Sequence, residues 1–178
     1  KKNIEKIILS SLSAGHIDET TADRCRDHLT LTTDYSDLGD VDLAIEAVFE
    51  DLTVKQEVLT KLQTAAPGAV LATNTSYLDI DRMAEMLADP TRLIGLHFFA
   101  PAHIMKLLEI VNAQATAPAA MAVAFAIAKR LGKIPVVAGV CDGFIGNRIL
   151  ARYREAADSL LIDGSTPWQI DQAMVAFG

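Results

Sequence analysis

The sequence predicts an α/β fold with a largely parallel sheet, followed by a segment that is helical only. Three observations predict it. Apolar runs of strand length alternate with segments of helical period between about residues 41 and 138. The connections between them are short and carry Gly, Pro, Asn or Asp. After Cys141 the strand-like runs stop. A domain boundary is therefore expected there, with residues 1–140 forming the sheet domain and 141–178 beginning a helical one.

Taken in order, residues 1–13 place Ile4, Ile7, Ile8 and Leu12 at helical spacing, and Ala14-Gly15 closes that helix. Asp18 opens a second helix to about His28, and residues 29–33 are expected to form a short strand. Residues 41–48, VDLAIEAV, read as a strand buried on both faces. Thr53 and Gln56 have capping-box spacing at the entry of a helix, and its apolar stripe is Val54, Val58, Leu59, Leu62 and Ala65. Pro67-Gly68 stops it. Residues 69–73 form a second buried strand, Asn74-Thr75-Ser76 a polar turn, and 78–87 another helix. Asp89-Pro90 precedes a third strand, 93–99, which Pro101 breaks, and 107–111 is a fourth. An Ala-rich helix over 116–131 has Pro118 in its first turn and Gly132 just past its end. Residues 134–138 are a fifth strand. Gly143 or Gly146 then opens a long helix over 147–162, Gly164 ends it, and Thr166-Pro167 starts another through Phe177.

The 178-residue chain is 51% hydrophobic and 22% charged, which suits a packed globular core. Lys+Arg number 16 and Asp+Glu 23, so the formal net charge is -7. Such a chain is a poor general binder of nucleic acid or of an anionic membrane. Cys25 and Cys141 stand far apart and outside any CxxC pattern, so neither a disulfide framework nor a metal site is expected. The longest apolar stretch, 121–128, is too short for a membrane span, and no signal peptide is apparent. The expected location is cytoplasmic.

In open parallel sheets, ligands bind outside the carboxyl ends of the strands. Glu50 follows the strand 41–48, Asn74 and Ser76 follow 69–73, and His97 lies near the end of 93–99. These groups are expected along one rim. Glu109 is the only charged residue in the run 107–111. A carboxylate inside a buried strand is costly unless paired, and an imidazole is a natural partner. Such a carboxylate fixes the ring's tautomer and supports the imidazolium that forms when the ring takes a proton. His97 is thus a candidate general base toward an alcohol, and Ser76 a candidate to hold the substrate oxygen. Singly, each residue has a plainer reading. A lone histidine in an apolar run is more often a satisfied core residue, and Glu109 could be an edge-strand charge. Their coincidence at strand ends points to a site. The stretch from Gly139 to Gly146 follows a strand and precedes a helix, but its spacing is G-x-x-x-G-x-x-G, and it reads as a domain-joining turn. No G-x-G-x-x-G occurs, so the residues alone give no direct cofactor signature.

The segment IGLHFFAPAHIMKLLEIV, carrying His97 and Glu109, resembles the signature of 3-hydroxyacyl-CoA dehydrogenases. So do VDLAIEAVFEDLTVKQEV, ATNTSYL and DGFIGNRIL, and the resemblance runs in the family's order from residue 1 to Gly178. It implies a Rossmann-like sheet domain that binds NAD, and oxidation of the 3-hydroxyl of an acyl-CoA substrate to a ketone. It implies His97 as catalytic base, Glu109 as its paired carboxylate, Ser76 near the substrate hydroxyl and nicotinamide, and Asn147 on the reacting substrate. Glu50, Lys55, Ala47 and Asn74 match positions lining the cofactor site. Lys1, Lys2 and Lys6 match a helical hairpin near coenzyme A, and equally suit a solvated helix face.

Two positions depart from the family pattern. Ala100 stands where Asn or Ser is usual, which removes a polar cofactor contact, and Tyr77 stands where a second Ser is common. The family's first βαβ unit, with its glycine loop, would precede Lys1, and further helices that help form a homodimer would follow Gly178. The sequence is therefore expected to be part of a longer chain, either a stand-alone enzyme or a multifunctional β-oxidation protein. A polypeptide of these residues alone is expected to be inactive. The alternatives are a non-catalytic relative and a dehydrogenase of free β-hydroxy acids. The absence of Lys from the helix 147–162 counts against the latter.

Overall fold

The structure is a computed structural model and describes residues 2–178. The chain divides into two compact units, Lys1–Asp37 and Leu38–Gly178.

In the first unit, α1 (Lys2–Ser13) and α2 (Glu19–Asp27) form a hairpin. Asp18 caps α2 by accepting the Thr21 amide at 2.8 Å. Arg26 bridges the helices to Glu5 at 2.8 Å, and Ile8 and Ala22 are buried. The strand expected over residues 29–33 does not form. Thr32 accepts the Asp34 amide and donates to Asp37, while Asp34 accepts the Ser36 amide. These local bonds satisfy the backbone as turns and compete with a sheet ladder. Lys2 and Lys6 are exposed, and Lys1 lies outside the described residues.

In the second unit the elements are β1 (Leu43–Glu46), α3 (Leu52–Ala65), β2 (Val70–Thr73), α4 (Ile80–Ala84), β3 (Leu93–Phe98), β4 (Leu107–Asn112), α5 (Pro118–Arg130), β5 (Ile134–Gly139), α6 (Gly146–Ile162) and α7 (Pro167–Phe177). The five strands make one sheet in the order β1-β2-β3-β4-β5. β1, β2 and β3 are mutually parallel, β4 is antiparallel to β3, and β5 is parallel to β4. The sheet is mostly parallel, as the alternation of runs predicts, with its last two strands reversed. No helix among the described residues is long and apolar enough to cross a membrane.

Side-chain alternation assigns the two faces. On one, Leu71, Leu93 and Val111 pack with Leu59 and Leu62 of α3, Ile80 and Met83 of α4, and Phe144. On the other, Ala72, Ile94, Leu96, Leu108 and Ile110 pack with Ala124 and Ala128 of α5. Gly95 is required by close packing. A β-carbon there would meet Ile80 and lie 2.7 Å from Val111 Cβ.

Three local expectations are corrected. β1 is shorter than residues 41–48, and only one of its faces is fully covered among the described residues: Ala44 and Glu46 are buried, while Ile45 on the opposite face stands 42% exposed. The α3 entry is capped by Asp51, which accepts the Val54 amide at 3.0 Å, and not by a Thr53–Gln56 box. Gln56 instead donates to the Arg82 carbonyl at 2.7 Å. With the cap two residues earlier, the buried face of α3 is Lys55, Leu59 and Leu62, and Val54 is exposed.

Replacing Gly95 by Ala inserts a methyl group where Ile80 and Val111 already meet. The expected loss is about 1–3 kcal/mol of folding stability. Urea unfolding of the variant measures it, and a loss below about 0.5 kcal/mol would show that α4 yields freely.

Candidate active site

β3 and β4 pair with His97 directly opposite Glu109. Directly opposed residues of an antiparallel pair project to the same face with close β-carbons. Their side chains meet there. His97 Nδ1 lies 2.7 Å from Glu109 Oε2, with His97 5% and Glu109 1% exposed. A carboxylate accepts only, so the ring presents Nδ1–H to Glu109 and leaves Nε2 as the free acceptor. No buried side-chain nitrogen or oxygen among the described residues lacks a partner, and Nε2 makes no hydrogen bond among them, so that atom reaches solvent. Phe99 and Phe144 flank the ring at centroid distances of 4.6 and 5.8 Å.

The second oxygen of Glu109 is held by the start of α6. Oε1 accepts the Ile145 amide at 3.1 Å and the Gly146 amide at 2.7 Å. These amides have no partner within the helix, and a negative charge at a helix N-terminus is favoured by the helix dipole. Gly146 makes this approach possible. A β-carbon there would lie 2.7 Å from Phe99 Cζ and displace the ring that packs on His97. The stretch from Gly139 to Gly146 thus works as a turn that delivers a helix start to a carboxylate.

The remaining residues singled out from the sequence gather around the turn after β2. Asn147, the second residue of α6, donates from Nδ2 to the Ser76 carbonyl at 3.3 Å. Asn74 Oδ1 accepts the Phe98 amide at 3.0 Å, which ties the turn to β3 beside His97. Glu50 Oε1 accepts the Thr75 hydroxyl at 2.6 Å, the Ser76 amide at 2.8 Å and the Tyr77 amide at 3.2 Å. Ala47 follows β1 directly and is exposed. Lys55 is placed differently from a residue facing a ligand. It is 1% exposed, with its ammonium on Glu46 at 3.0 Å and Glu50 at 3.3 Å. Tyr77 is 48% exposed and, with Asn147, Arg148 and Arg152, lines a cleft of about 380 Å³.

Three participants escape a reading by residue type. Glu46 and Thr73 sit inside strands whose apolar neighbours mask them, and Thr75 lies within the polar turn without standing out. The one signal for Glu46 is a carboxylate in an otherwise apolar strand, the same signal that marks Glu109.

Burial pushes the Glu50 carboxyl up. The Thr75 hydroxyl, the Ser76 amide and the Lys55 ammonium together outweigh it, so the group sits below the ordinary glutamate range. A group lowered in the folded state stabilises the fold above its unfolded pKa and loses that contribution as pH falls through its folded pKa. The stability gap between the protein and Glu50→Gln, measured by urea unfolding, is expected to be largest near neutrality and to close below about pH 4. A gap that stays constant into strong acid would contradict the assignment.

Comparisons with known proteins agree with this arrangement. Residues 1–141 match the family model described as 3-hydroxyacyl-CoA dehydrogenase, NAD binding domain, and residues 143–178 match that of the C-terminal domain. Peroxisomal bifunctional enzyme of Danio rerio is 46% identical over 151 residues, covering 84% of this chain and 21% of that protein. The chain thus spans about a fifth of the length of that relative. Among solved structures, FadB2 of M. tuberculosis superposes with a TM-score of 0.93 at 38% identity, covering 98% of this chain and 63% of that one. The 3-hydroxybutyryl-CoA dehydrogenase of Escherichia coli superposes with a TM-score of 0.86 at 36% identity, covering 93% of this chain and 36% of that one. The Rossmann-like sheet with its buried His97–Glu109 pair therefore belongs to the 3-hydroxyacyl-CoA dehydrogenase family, and its residues 1–141 match that family's NAD-binding domain.

Proposed function

We propose that the protein containing this chain oxidises the 3-hydroxyl of an acyl-CoA to a ketone, with hydride passing to NAD+, in fatty-acid β-oxidation or related acyl-CoA metabolism. The observation that carries this reading is the His97 ring, fixed through Nδ1 to Glu109 with Nε2 left open. An imidazole held this way is a general base for a hydroxyl proton.

In the proposed step, Nε2 of His97 takes the proton of the C3 hydroxyl. Glu109 stabilises the imidazolium that results, and the two α6 amides keep that carboxylate in place. Ser76 and Asn147 hold the substrate oxygen. The chemistry of the residues at the rim suits NAD. The Ser76 hydroxyl and Asn74 Nδ2 have no partner among the described residues, and the backbone around Ala47 is exposed. These are donors and small surfaces that a nicotinamide carboxamide and ribose hydroxyls can use. Glu50, Asn74 and Ala47 would line that site, with Lys55 behind Glu50. When bound, NAD+ supplies the hydride acceptor.

The division at residues 140 and 141 is proposed for the same reasons. The sheet ends at Gly139, and the two family models meet between residues 141 and 143. A homodimer and a cytoplasmic site are the proposed assembly and compartment, and cell fractionation decides the latter, since relatives named peroxisomal exist.

His97→Gln in the intact protein is expected to lower kcat by about 10² to 10⁴. NADH formation from NAD+ and 3-hydroxybutyryl-CoA measures it. A loss below about twofold would remove His97 from the chemistry.

A further inference from the structure

Apart from the His97–Glu109 pair, the main group of buried charge is Glu46 and Lys55, with Glu50 at its edge. The proposed reaction gives none of them a chemical step. An ammonium 1% exposed is costly unless fully paired. Lys55 Nζ has both Glu46 oxygens at 3.1 and 3.0 Å, Glu50 Oε2 at 3.3 Å and the Val48 carbonyl at 3.3 Å. An ammonium has three donors, so these acceptors leave none for a ligand.

Two hydrogen-bonded arms run from this group to the same place. Glu46 Oε1 accepts the Thr73 hydroxyl, whose oxygen accepts the Thr75 amide at 3.2 Å. Glu50 Oε1 gathers the Thr75 hydroxyl and the Ser76 and Tyr77 amides. Both arms therefore hold residues 75–77, and the Ser76 carbonyl is the acceptor for Asn147.

We propose that Glu46, Lys55 and Glu50 are positioning residues. Lys55 sets the two carboxylates, and through their arms it fixes the Ser76 turn against Asn147 at the start of α6. This goes beyond the family resemblance, in which Lys55 lines the cofactor site, because here Lys55 acts through the turn and not on NAD. Only the kinetic readout of the proposal rests on the reaction proposed above.

The test uses two variants of the intact protein. Lys55→Met with Glu46→Gln removes the buried charge pair at nearly constant volume. Glu50→Ala removes the second arm from a partly exposed site and carries the test if the double variant does not fold. Amide exchange over residues 75–77 is expected to speed up by about tenfold or more, while β3 stays protected. The kcat is expected to fall by about tenfold in both variants, and in the double variant, whose two residues are buried behind the cofactor site, the KM for NAD+ is expected to change by less than about threefold. Unchanged exchange and kcat, with only a lower unfolding temperature, would leave these residues a purely structural role and overturn the proposal. A raised KM for NAD+ at constant kcat in the double variant would overturn it in favour of direct cofactor contact by Lys55. If the unmodified protein turns over no 3-hydroxyacyl-CoA, the reaction proposed above fails, and the exchange rates alone decide the positioning role.

Discussion

The site depends on the register in which β4 returns against β3. That register sets His97 opposite Glu109 on the face covered by α3, α4 and Phe144. Side-chain direction alternates along a strand, so a slip of one residue would send Glu109 to the face packed by α5 and leave the histidine without a partner. Burying both groups is costly, and the cost is offset because both oxygens of the carboxylate are used. Oε2 takes the ring N–H and Oε1 takes two amides at the start of α6. One carboxylate therefore joins the sheet to the first turn of the helical segment, and it settles which ring nitrogen stays open.

The opposite side of the site is built on a similar principle with different parts. Glu50 collects one hydroxyl and two amides of the turn after β2, and Lys55 neutralises it from behind. The turn is thus shaped by fixed bonds before any ligand arrives, which is the kind of preorganisation that makes a polar site effective. Among the described residues, His97 Nε2, the Ser76 hydroxyl, Asn74 Nδ2 and Asn147 Oδ1 are atoms of this region without a hydrogen bond. Tyr77 and the arginines of α6 border the adjoining cleft. The ring of Tyr77 occupies space that a serine would leave open there.

Much of the fold is legible in the chain because its signals are local. The apolar runs around β1 to β5 mark strands, and Thr166 with Gln169 closes a capping box at α7. The misreadings are local rules overruled by neighbours. Thr53 and Gln56 satisfy the spacing of a cap, but Asp51 stands two residues earlier and takes the amide first. Residues 29–33 have strand-like composition, yet Thr32 and Asp34 turn the backbone before a ladder can form. The inward placement of Lys55 has no local signal, because it depends on Glu46 on β1 and Glu50 after it, which together make a buried ammonium tolerable.

The sequence by itself determined the α/β class, the helical tail and the family, because these rest on periodicity and on long motifs read along the chain. It also marked His97 and Glu109, since a charged residue in a buried run demands a partner. The tertiary structure alone decided the register that sets these two face to face, that Gly146 and Ile145 complete the pair, and that Lys55 faces inward. Those facts join residues 9 to 37 positions apart. Contacts across such distances follow from strand order and register, which no local pattern encodes.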